Sequence, residues 1–105
     1  MDWIKIFSSS QEMKNRLGNK PKLLIVGNKR LCIAIYNEKL LVVDDKCPHN
    51  GESLSKGSIN FLGEIVCPWH GYRYALHTGR ECQERTGDLG IYPIKESDEG
   101  IFIGL

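Results

Sequence analysis

Long apolar runs are missing from this chain of 105 residues. The longest are Leu31 to Tyr36 and the four-residue stretches Leu23 to Val26 and Leu40 to Val43, far short of the roughly 18 consecutive apolar residues that cross a bilayer. No membrane span is expected. A block of one charge is missing too: 14 Lys and Arg stand against 13 Asp and Glu, and no basic run exceeds Lys29-Arg30. Nucleic-acid binding draws on concentrated positive charge that releases counterions, so that class is set aside. The opening residues Met1-Asp2-Trp3-Ile4-Lys5 hold no basic segment followed by an apolar one, which points to a cytoplasmic protein without a secretory leader. Histidine is scarce, with only His49, His70 and His77.

What is present is ordinary globular material, 41% apolar and 26% charged, at a length suited to one domain over residues 1–105. Trp3 to Phe7 reads as a half-buried strand that places Trp3 in the core or on an edge. Ser9 followed by Glu12 reads as a capping box that opens a short helix, which Gly18 closes. From Lys22 onward the pattern is β-like: Leu23–Val26, Leu31–Tyr36 and Leu40–Val43, then Ile65-Val66, Tyr72–Leu76, Ile91–Ile94 and Ile101–Ile103, with turn signals between them. The expected class is all-β and antiparallel. Strand signals thin out and Gly, Pro, Asn and Ser gather from about residue 45 to 85, so a loop-rich subdomain is expected to project there from a regular β base.

Four cysteines without a leader suggest metal binding or catalysis more than disulfides. Two of them stand beside histidines, in Cys47-Pro48-His49 and Cys67-Pro68-Trp69-His70, with 17 residues between His49 and Cys67. Thiolate and imidazole are the ligands that zinc, copper and iron–sulfur centres select. A structural zinc ion usually takes pairs separated by two to four residues, and Cys47-x-His49 is tighter than that. In a dinuclear cluster the two ligands of one box can go to different metals, so the spacing favours a cluster over a zinc-stabilised interaction module. Cys32 lies inside an apolar run and reads as an inert core thiol. Cys82 has no paired histidine, and His77 reads as a solvated turn residue.

Cys-Pro-His-Asn-Gly at 47–51 and Cys-Pro-Trp-His-Gly-Tyr-Arg-Tyr at 67–74 resemble the two boxes of the Rieske family, and the strand pattern extends that resemblance over most of the chain. The resemblance implies an antiparallel β-sandwich base and one [2Fe–2S] cluster, with Cys47 and Cys67 on one iron and His49 and His70 on the other. Replacing two thiolates by two neutral imidazoles lowers the negative charge and raises the potential, into a family range of about −150 to +300 mV against about −400 mV for plant-type ferredoxins. The high-potential members carry an extra cysteine in each box and a serine hydroxyl aimed at the cluster. Glu52, Trp69 and Tyr72 hold those positions here, and only Tyr74 matches the hydrogen-bonding tyrosine. The lower part of the range is therefore expected.

Around the ligands, Pro48 and Pro68 fix φ, Gly51 and Gly71 permit tight turns, and Trp69 is a candidate shield. A mononuclear oxygenase iron needs two histidines and a carboxylate. With two of three histidines committed, the chain is not expected to be an enzyme. The resemblance implies a one-electron carrier taking electrons from a flavoprotein reductase to a terminal oxygenase, with His49 and His70 at the electron exit and Asn50, Trp69 and, as the alternative to a plain turn residue, His77 as partner contacts. A small Rieske subunit of a larger oxidoreductase, such as a nitrite reductase, is the second reading.

Overall fold

Tight turns between short apolar segments build three antiparallel sheets, seen in a computed structural model that describes residues 1–105. After β1 (Trp3–Phe7) and α1 (Ser10–Leu17), the strands β2 (Lys22–Val26), β3 (Lys29–Tyr36) and β4 (Lys39–Asp44) form a meander. A small sheet follows, made of β5 (Ser58–Ile59), β6 (Glu64–Val66) and β7 (Arg73–Ala75). The chain then returns as β8 (Ile91–Tyr92) beside β4, and closes with β9 (Ile94–Ser97) and β10 (Gly100–Gly104), in the order β1-β10-β9. The all-β class and the sandwich base agree with the expectation.

Differences from the sequence reading have local causes. The run Ile91–Ile94 is two strands in two sheets, because Pro93 has no N–H to donate and the chain changes partners there. The two-residue β5 is too short to show a period. Of the two places open to Trp3 it takes the edge: β1 borders its sheet, and the side chain faces outward, 42% exposed, with the Lys95 ammonium 5.6 Å from its ring centre. The β3–β4 turn puts Asn37 and Glu38 at φ 52° and 64°, the left-handed pair that suits the twist of a hairpin.

The Ser9 hydroxyl accepts the Glu12 N–H at 3.1 Å and caps α1, while the Glu12 carboxylate reaches back to the Ser8 N–H, not that of Ser9. Gly18, at φ 59°, ends the helix with its N–H on the Lys14 carbonyl. Met13 and Leu17, four residues apart and hence on one face, are buried. They join Phe7, Leu31, Ile33, Val42, Ile101 and Ile103 in one core. A second core contains Cys32, Val43, Leu54, Ile65, Tyr74, Leu76 and Leu89 together with Cys47 and Cys67.

The β3–β4 hairpin is the wall between the two cores. Side chains alternate across a strand, so Leu31 and Ile33 enter the first core and Cys32 the second, as Val42 and Val43 do in turn. Burial on both faces explains why the run from Leu31 is apolar without alternation. No helix is long and apolar enough to cross a membrane.

Candidate metal centre

Two loops rise from the second core, and backbone hydrogen bonds close both of them. In the first, the Cys47 N–H donates to Glu52 O at 2.9 Å and the Gly51 N–H to Cys47 O at 2.7 Å. Gly51 has φ 78°, which glycine adopts without a Cβ penalty. Buried Asp45 fixes the chain that leaves this loop: its carboxylate accepts the Ser53 hydroxyl and the Ser55 N–H. In the second loop the Cys67 N–H donates to Tyr72 O at 2.7 Å. His70 and Gly71 are both left-handed, at φ 63° and 67°. That conformation costs a non-glycine residue of order 1 kcal/mol, and it turns the histidine side chain out of the path of a regular hairpin.

The result is a pair of sulfurs below a pair of imidazoles. Cys47 and Cys67 are each 1% exposed, whereas His49 is half-buried and His70 exposed, with ring centres 5.6 Å apart. Burial, with the Cys47 thiol alongside, pushes the Cys67 thiol up to about 11, against the help of the Trp69 N–H. A thiol raised in this way is held as thiolate only when positive charge is supplied to it. His49 Nδ1 is buried without any hydrogen-bond partner, and native structures rarely leave such an atom unsatisfied. No three His, Cys, Asp or Glu side chains group as they would around one ion. Two soft sulfurs, two imidazoles and an orphaned inward-facing ring nitrogen fit a dinuclear iron–sulfur cluster.

Tyr74, fully buried on β7, places its hydroxyl 3.4 Å from Cys47 Sγ and 3.3 Å from Thr86 Oγ1. Burial, and then the neighbouring Cys47, raise its phenol above the usual range, so the hydroxyl stays protonated. Tyr72 stacks on His49, ring centres 3.8 Å apart and planes 6° from parallel. Pro48, Pro68 and Asn50 are exposed at the tip; Asn50 Oδ1 accepts the Glu52 N–H at 3.0 Å. Trp69 is 54% exposed and leans on His70 at 5.5 Å, so it faces solvent at the rim.

The sequence reading missed a third loop, residues 81–86. Glu81 is 1% exposed, and Arg85 grips its carboxylate through Nε at 3.0 Å and Nη2 at 2.9 Å. That pairing holds the Glu81 carboxyl far below the ordinary carboxylate range. The only trace in the sequence is an acid four residues before a base, which normally signals an exposed helix face. Cys32 is buried, and burial pushes its thiol up to about 12. Cys82 is exposed, with its thiol on Glu81 Oε2 at 3.3 Å. His77 is exposed and meets Tyr36 edge-on at 6.5 Å, apart from the paired histidines.

The family model described as the Rieske [2Fe-2S] domain matches residues 2–93, and the chain belongs to that family. It is a ferredoxin-type electron carrier with one [2Fe–2S] cluster. Among its relatives, the 3-phenylpropionate/cinnamic acid dioxygenase ferredoxin subunit of Photorhabdus laumondii is 33% identical over 69 residues, covering 65% of this chain and 66% of that protein. The subunit of the same description in Escherichia coli K12 is 32% identical over 76 residues, 70% and 72% of the two chains. The match thus spans about two thirds of the first relative's length. The ferredoxin of carbazole 1,9a-dioxygenase from Nocardioides aromaticivorans IC177 superposes with a TM-score of 0.82 at 17% identity, over 99% of this chain and 98% of that one. A chain from a complex of reduced oxygenase and oxidised ferredoxin in carbazole 1,9a-dioxygenase gives 0.79 at 22%, over 97% and 92%. At those identities the likeness establishes the fold.

Proposed function

We propose that Cys47 and Cys67 bind one iron through sulfur and His49 and His70 the other through ring nitrogens. The observation that carries this assignment is the buried His49 Nδ1, which has no partner in the protein. When bound, the cluster supplies a one-electron couple. The chain's own residues hold the sulfurs dry, orient the imidazoles and leave one open edge. That edge is His70, exposed beside Trp69, and it is the contact through which electrons pass to partners.

The partners are a flavoprotein reductase on one side and a terminal oxygenase or similar redox enzyme on the other, and the relatives' names, ferredoxin subunits of a dioxygenase, support the oxygenase side. The chain is not a catalyst alone, since His77 stands apart from any carboxylate triad for a second iron. Residues 1–105 form one domain whose segment 45–85 serves the cluster, supported by the separate core beneath that segment. Four free cysteines suit a reducing cytoplasm.

Electron paramagnetic resonance of the anaerobically purified, dithionite-reduced protein tests the assignment. The expected signal is rhombic with an average g below the free-electron value, and His49→Ala or His70→Ala abolishes it. A variant that keeps the spectrum removes that histidine from the site. A colourless protein holding zinc and no acid-labile sulfide overturns the cluster.

A further inference from the structure

We propose that the loop 81–86 is a positioning device for His49, acting through a three-layer stack of Arg85, Tyr72 and His49; this rests on the reading of His49 as a ligand. Arg85 Cζ lies 3.7 Å from the Tyr72 ring centre, and the His49 ring centre lies 3.8 Å from it. Two groups at that distance from one ring cannot share a face, so Tyr72 is sandwiched between them. The guanidinium is held by the two-pronged contact with Glu81 at 3.0 and 2.9 Å. Glu81 is held in turn by the N–H groups of Gln83 and Arg85, at 3.1 and 2.8 Å, and by its bridge to Tyr74 on the neighbouring strand.

The reason for such a device lies in the freedom of an imidazole. Rotation about the bond joining ring and Cβ is broad rather than sharply staggered, and no hydrogen bond from the protein fixes Nδ1 of His49. A flat neighbour 6° from parallel removes that freedom, and a cation on the far face strengthens the contact through the ring's negative π-face. Burying a carboxylate is costly unless it is paired, and here the pairing places a planar cation where the stack needs it. His70 has no such cover: it is exposed, and the neighbouring rings, Trp69 and His49, are both tilted to it and not stacked on it. The two imidazoles are therefore inequivalent, one clamped and one free to meet a partner.

The test uses the reduced, cluster-loaded full chain, with pulsed electron paramagnetic resonance to resolve the nitrogen couplings of the two histidines. The rate of cluster loss to a chelator is the second readout. Tyr72→Leu and Arg85→Met should broaden one of the two couplings and speed cluster loss about fivefold, equivalent to about 1 kcal/mol at 1.4 kcal/mol per tenfold. Arg85→Lys, which keeps the charge but not the flat fork, should behave like Arg85→Met. Tyr72→Phe, which returns an aromatic face, should restore the native couplings. Native couplings and loss rate in both variants of Arg85, whose side chain is 39% exposed, overturn the proposal. Fewer than two histidine couplings in the unaltered protein overturn the ligand assignment itself.

Discussion

Replacing Tyr74 by phenylalanine removes one oxygen from a fully buried side chain and leaves its ring in place. The lost hydroxyl lies 3.4 Å from Cys47 Sγ and 3.3 Å from Thr86 Oγ1. Hydrogen bonds to charged groups contribute about 1.5–3 kcal/mol. This one sits at the low end, because sulfur is a weak acceptor and the single proton is shared with Thr86. Only the part that strengthens on reduction moves the potential. Taking about half of 2 kcal/mol gives about 1 kcal/mol, or about 40 mV more negative at 59 mV per 1.4 kcal/mol for one electron. Stability should fall by about 1 kcal/mol, since the phenyl ring leaves no cavity. Spectroelectrochemical titration with mediators measures the first effect and thermal melting the second. A potential that stays within about 10 mV of the parent, or moves upward, would falsify the claim that the Tyr74 proton points at Cys47.

Other consequences are as direct. Because Arg85 depresses the Glu81 carboxyl, the pair's contribution to stability is complete above the unfolded carboxyl value near about 4.3 and is lost as the pH falls below it. Glu81→Gln should flatten the acid limb of a plot of urea midpoint against pH, and an unchanged slope between about pH 5 and 3 contradicts the assignment. Gly79 has φ 78°, and a Cβ there would lie 1.9 Å from the Leu89 carbonyl oxygen. Gly79→Ala should therefore cost at least about 1–3 kcal/mol and lower Tm by at least about 4 °C; a melt within about 1 °C of the parent refutes the close approach.

How much of this was legible in advance follows from how far apart the interacting residues stand in the chain. The two boxes are contiguous, so Cys47, His49, Cys67 and His70 could be picked out by spacing alone. The meander from Lys22 to Asp44 was readable because each strand ends in a local turn signal. The loop 81–86 was not readable, for its purpose depends on contacts with Tyr72 and Tyr74 on another segment. Nothing in Glu81-Cys82-Gln83-Glu84-Arg85 marks a buried carboxylate, since the same letters on a helix would be a solvated ion pair. For Trp3 the sequence left two places open, the core or an edge, and the edge is the one observed. A large apolar residue in a strand fits either place by its letters alone, and only the tertiary edge leaves it outside, under Lys95.

The division between what was legible and what was not mirrors a division of labour in the site. The proposed ligand set is local: a cysteine and a histidine within one tight turn, their separation in depth produced by backbone geometry such as the paired left-handed residues His70 and Gly71. Equivalence of the two histidines is also what the two similar boxes imply. It fails in three dimensions, because a third loop covers the face of His49 and nothing comparable covers His70. An electron carrier benefits from that asymmetry. A clamped ligand keeps bond lengths and angles nearly constant between oxidation states, while an open imidazole edge shortens the distance to a docked partner. On the proposed assignment both requirements fall on the same iron, and the fold meets them by treating the two imidazoles differently.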